Sequence, residues 1–146
     1  MKNKKLKSLL MIVIILVVVI LGFIWFLKDI TLAGNVDDTK YIVEVSKVYS
    51  EEEIEEAMDV ICEEFKHTFY GCTLKELQYN DEDYLDESNA WSTTYDGKKT
   101  IVINSVFNVS GKGASLGFNP NSIYTQYRFI LVEENGTWII RNKGMG

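Results

Sequence analysis

Residues Leu9 to Leu27 form an uncharged apolar run of about 19 residues, set close behind Lys2, Lys4, Lys5 and Lys7. As a helix rising 1.5 Å per residue, the run is roughly 28 Å long and nearly matches a hydrocarbon core of about 30 Å. What remains is about 110 residues, room for one small domain with one core. A cleaved signal peptide carries a shorter apolar core, about 7 to 15 residues, ending in a small-residue site. The candidate site here is the imperfect Thr31-Leu32-Ala33, so an uncleaved anchor is expected. Trp25 suits an interfacial aromatic. The lysine excess before the run puts the N-terminus in the cytoplasm and everything after Lys28 outside. The expected organisation is a cytoplasmic tail and transmembrane anchor over residues 1–28, a stalk over 29–39 and an extracytoplasmic domain over 40–146, held in the cell membrane by a single pass.

Charge follows the same division. Five of the fifteen basic residues (Lys2, Lys4, Lys5, Lys7 and Lys28) lie in the tail and anchor, and none of the twenty-one acidic ones does. Ten bases against twenty-one acids remain, a net of about −11. Nucleic acid is excluded as a partner, because its binding is led by Lys and Arg neutralising phosphates. A cationic partner is compatible with this surface.

Within the outer segment, "YSEEEIEEAMDVICEEFKHTFYGC" carries the strongest pattern. Ile54, Ala57, Met58, Ile61, Cys62, Phe65, Thr68 and Phe69 recur at helical spacing. Ser50 with Glu53 forms a capping box, Tyr49 with Ile54 a hydrophobic staple, and Gly71 a left-handed stop. A helix over Glu51 to Tyr70 is expected. Lys40 to Lys47 is β-branched and reads as an edge strand or extended lead-in. "TLKELQYN" suggests a short strand, and "DEDYLDESNAWSTTY" a second helix with Tyr84, Ser88, Trp91 and Tyr95 on one side. The period then changes to two. "KKTIVINSVFNVS" alternates Ile101, Ile103, Ser105, Phe107 and Val109 against Val102, Asn104, Val106 and Asn108, and "SIYTQYRFILVEE" is a further long strand. Asn135-Gly136 turns that strand into "TWIIRN". The class is therefore α+β: a transmembrane helix, then two helices on one face of a curved antiparallel sheet.

That order, closing in "WIIRNKG", resembles the cone-shaped nuclear transport factor 2-like (cystatin-like) superfamily. More narrowly, the stretch from Tyr49 to Tyr79, the strand "TIVINSVFNV" and the closing "NPNSIYTQYRFILVEENGTWIIRNKGMG" are similar to a family of uncharacterised extracytoplasmic domains of Gram-positive bacteria. The "FYGCTL" turn and the "NGTWII" hairpin are the most specific pieces. The resemblance implies a fold and a compartment, and it carries no activity. Cys72 matches that family's cysteine after glycine, whereas Cys62 has no counterpart there, which argues against their pairing.

The chemistry-bearing residues offer little for catalysis. His67, the single histidine, falls roughly 150° from the apolar arc of its helix and has no partner ligand one turn away, so neither a metal nor a Cys/His site is expected. Cys62 lies about 12 Å by rise from the helix end, and only Gly71 separates that end from Cys72. A disulfide needs Cα atoms within about 7 Å, so two largely buried thiols are expected. "NDEDYLDE" lacks the glycine and closing glutamate of a calcium loop and reads as a helix start. "GKGASLG" joins two strands without the Lys-Ser/Thr of a phosphate loop and reads as a hairpin loop. A ketosteroid-isomerase-like reaction needs a carboxylate that the strands from Thr100 to Leu131 do not contain. No enzyme, metal or cofactor is expected.

Polar positions inside the strands are left as the site candidates: Asn104, Gln126, Tyr127 and Arg128, with Tyr124 and Tyr127 expected on opposite faces. An arginine flanked by tyrosines suits an acidic or planar group. The expected function is a non-catalytic, membrane-anchored domain that binds a small ligand or protein partner. The alternative, on architecture alone, is a scaffold subunit of a secretion or conjugation machine.

Overall fold

A computed structural model describes residues 2–32, 34–111 and 117–146. The chain falls into two compact units, residues 1–32 and 33–146. The first is helix α1, Lys2–Leu32. Its described apolar side chains, Leu10 to Trp25, are exposed around the whole circumference. Among the described residues no helix is long and apolar enough to cross a membrane. The side chains of Leu9, Phe26 and Leu27, which complete the apolar run in the sequence, lie outside the described ones, as do Ala33 and residues 112–116 of the expected hairpin loop.

The second unit contains β1 (Lys40–Val43), α2 (Glu51–Thr68), β2 (Cys72–Tyr79), α3 (Asp81–Thr94), β3 (Thr100–Val109), β4 (Ile123–Glu134) and β5 (Thr137–Met145). The strands form one sheet in the order β1-β2-β3-β4-β5. The class is α+β, and the sheet expected to be antiparallel is mixed, because β1 runs parallel to β2 while the other neighbours are antiparallel. The reason lies in the connection: α2 carries the chain back between β1 and β2, and a strand-helix-strand crossover returns the second strand in the direction of the first. Residues 34–39, expected within a stalk, are hydrogen-bonded into this unit. Gly34 N donates to Lys66 O, Asn35 N to Cys72 O, and Leu74 N to Asn35 O. Gly34 passes so close to the end of α2 that a Cβ there would collide with the Phe65 carbonyl.

Helix α2 begins where its capping box places it. Ser50 accepts from Glu53 N and the Glu53 carboxylate accepts from Ser50 N. It ends at Thr68, two residues earlier than expected, and Gly71 follows at φ 73°. Its buried face, Ile54, Ala57, Met58, Ile61, Cys62 and Phe65, meets the sheet face that carries Phe107, Phe129 and Leu131. Phe65 stacks on Phe69, and Phe69 packs against Phe107, Tyr127 and Phe129.

The two helices do not share one face as expected. β2 stops pairing at Gln78–Asn104, so the first residues of β3 have an open edge, and α3 closes it: Val102 N donates to Ser88 Oγ. Beyond that edge α3 reaches Arg128, whose side chain leaves the sheet opposite Phe129. Coverage on both sides explains the continuous burial from Thr100 to Ser105, where the sequence alternation suggested a half-buried strand.

Candidate functional site

Asn104 and Arg128 are register partners across β3 and β4, so their side chains share the face reached by α3. Asn104 is almost fully buried. Its Nδ2 donates to Gln78 Oε1 at 3.1 Å and to Thr125 O at 3.0 Å. Gln78 in turn donates to Glu76 at 2.7 Å. The Arg128 guanidinium donates to the Glu87 carboxylate and lies 5.9 Å from the Tyr84 ring. From the other side Gly146 approaches, tied by its N–H to Gln126 O, so close that a Cβ there would meet the guanidinium. Arg128 is thus bracketed and keeps 27% of its side chain exposed. Two buried atoms at this position have no hydrogen-bond partner among the described residues: Asn104 Oδ1, an acceptor, and Arg128 Nε, a donor.

The other two candidates are elsewhere. Gln126 is exposed, and Tyr127 points to the opposite face, into the aromatic cluster of Phe69, Phe107, Phe118 and Phe129. Burial pushes the Tyr127 phenol above its ordinary range. Tyr124 and Tyr127, expected on opposite faces, both pack on Phe107, at 5.2 and 5.5 Å. The register supplies the cause. Ser105 faces Tyr127 and Phe107 faces Tyr124, so three residues of β4 advance against two of β3, and this bulge inverts the parity of everything before it.

His67 is exposed, with Nε2 4.0 Å from Glu63 Oε2. Both cysteines are buried and free. Cys62 has neighbours that sequence reasoning missed. Its Sγ lies 3.3 Å from the Tyr41 hydroxyl, which donates to Asp59 Oδ1 at 2.7 Å, beside a groove of about 440 Å³ that Glu63 and Lys66 also line. Asp59 and Cys62 stand three apart on α2, and Tyr41 of β1 joins them from elsewhere in the chain. Chemically this trio is quiet. Burial raises the Cys62 thiol and outweighs the lowering by its hydrogen bond with Tyr41, and the Tyr41 phenol is raised by burial as well. An activated thiolate needs the reverse. Burial alone pushes Cys72 up to about 11.

The acids of "NDEDYLDE" hold the start of α3. Asn80 Oδ1 accepts from Asp83 N, and Asp81 accepts from Ser46 Oγ, Lys47 N and Tyr79 Oη. Burial would raise the Asp81 carboxyl, and these bonds overcome it and hold the group below its ordinary range. Among the described residues no cluster of three or more His, Cys, Asp or Glu is placed to hold a metal ion. No family model, curated protein or solved structure compared with the chain matches it.

Proposed function

We propose that the chain is a non-catalytic domain, carried outside a cell membrane on a single N-terminal span, that binds a small ligand or protein partner through the Asn104–Arg128 position. The observation that carries this reading is the juxtaposition of a buried acceptor, Asn104 Oδ1, and a buried donor, Arg128 Nε, on paired residues of adjacent strands. Buried polar atoms of this kind are satisfied by a further group, and an acceptor beside a guanidinium suits an amide or a carboxylic acid. Tyr84 supplies an aromatic wall. The membrane part rests on the lysine-flanked apolar run, and the cone-shaped reading of the fold on the order of helix, strand, helix and three-stranded meander.

The test compares Arg128→Ala and Glu87→Gln with the unmodified chain, in thermal unfolding and in partners crosslinked in the native membrane. Arg128→Ala should lose the partners, while Glu87→Gln, which frees the guanidinium, should keep them. Unchanged recovery with Arg128→Ala would refute the site, and a fall in melting temperature as large as that of a core deletion would make Arg128 structural.

A further inference from the structure

Among the described residues strand β5 is the last strand of the sheet, and one of its edges faces no other strand. It leaves β4 through the two-residue turn Asn135-Gly136, with φ 54° and 76°, and Glu134 pairs with Thr137. In such a hairpin the residues flanking the turn exchange hydrogen bonds and the pairs then alternate, so Trp138 and Ile140 direct their N–H and C=O groups away from β4. Beyond them the register slips at Ile140/Asn142, which makes Arg141 the bulged residue and ends this regular stretch.

A groove of about 400 Å³ runs along the same edge. Its floor is Trp138, Ile139 and Ile140, and its wall is Val60, Glu63, Glu64 and His67 of α2. Ile139 and Ile140 send their side chains to opposite faces of the sheet. The wall is acidic. Helix α2 has eight acidic residues against a single lysine. Lys66 engages Glu63 and Lys143 engages Glu64, whereas Glu56, one turn before Val60, is exposed.

We propose that this groove binds an extended peptide segment of a partner protein, one that alternates basic and apolar residues and adds to β5 as a sixth strand. The outward backbone groups of Trp138 and Ile140 give affinity, the apolar floor takes alternate side chains, and α2 selects basic ones. A helix beside an edge strand confines the guest to one strand's width. A second copy of this chain is disfavoured as occupant, because the segment after Lys28 carries about −11. The proposal goes beyond the Arg128 reading and is independent of it, since Arg128 lies on the other face of the sheet.

The test uses the full chain in nanodiscs of zwitterionic lipid, with the fluorescent peptide Lys-Val-Lys-Ile-Lys-Val-Lys followed by anisotropy and empty discs as blank. Saturable binding should slow amide exchange at Trp138 and weaken about tenfold with Ile140→Pro, which removes an outward N–H that β4 does not use. Two further probes, N-methylated on one or the other alternate set of amides, should differ about tenfold from each other, because only one set faces β5. This comparison stands even if Ile140→Pro fails to fold. The glutamate counterpart of the peptide should not bind. Absence of saturable binding, equal affinity of the two methylated probes, or equal binding of the glutamate peptide would overturn the proposal. So would a peptide-free dimer that Ile140→Pro dissociates, which would assign the edge to a second copy.

Discussion

Single residues decide how the sheet is closed. Ser88 is fully buried; its hydroxyl donates to Tyr84 O at 2.7 Å and accepts from Val102 N at 3.0 Å. Ser88→Ala leaves the Val102 amide buried without a partner, and a loss of about 1–3 kcal/mol is expected in urea unfolding. A loss within the ordinary scatter of surface changes, about 0.5 kcal/mol, would show that another group takes the proton. The sequence already placed Ser88 on one side of its helix with Tyr84, Trp91 and Tyr95. What it could not show was the acceptor role, because that role exists only where β2 ends beside β3. Arg128 is similar. Its position mid-strand in an acidic domain was legible, whereas Glu87, 41 positions away, belongs to a helix whose placement depends on the same strand end.

At the scale of elements, legibility followed the locality of the signal. Helix α2 announced itself because its capping box, apolar period and terminal glycine all lie within one stretch of chain. The β4 bulge left no such mark, and the parity of Tyr124 was therefore misread from alternation alone. The α2 cap also makes a pH prediction. Hydrogen bonding from Lys99 holds the Glu53 carboxyl below its ordinary range, and the bond from Ser50 N acts in the same direction. A carboxylate whose folded value is depressed contributes stability above the ordinary carboxylate range and loses it as pH falls through the folded value. Glu53→Gln retains a side-chain oxygen for Ser50 N and removes the charge. The acid limb of its melting curve, measured between neutral pH and pH 3, should therefore be flatter than that of the unmodified chain. Parallel curves would dismiss the Lys99 pair as a source of acid sensitivity.

For the whole molecule, hydropathy and charge suggested a division into residues 1–28, 29–39 and 40–146, whereas the compact units are residues 1–32 and 33–146. The identity of a binding face was not legible, because faces are assembled from residues far apart in the chain. The topology proposed above has its own test. A reporter fused after Gly146 should be active outside the membrane, and the mature protein should retain residues 1–28. A secreted form that begins near Gly34 would refute the anchor. Crosslinking of the same fusion in its membrane separates the functional readings: a ligand-binding domain runs as a monomer, whereas a scaffold subunit gives a ladder of multiples.

Gly34, pressed against the end of α2, has a mechanical consequence. Residues 34–39 are held to the domain by the backbone bonds Gly34 N to Lys66 O at 3.1 Å, Asn35 N to Cys72 O at 2.9 Å and Leu74 N to Asn35 O at 2.8 Å, by the Thr39 Oγ1 bond to Leu74 O and by Val36, which packs on the core. All of these attachments precede the ladder between β1 and β2, which starts at Lys40. Six residues at roughly 3.4 Å each have a contour length of about 20 Å, which is the upper limit of what the segment could span. A chain pulled from its N-terminal side would therefore load this segment ahead of the strands, since its attachments precede β1 in the chain.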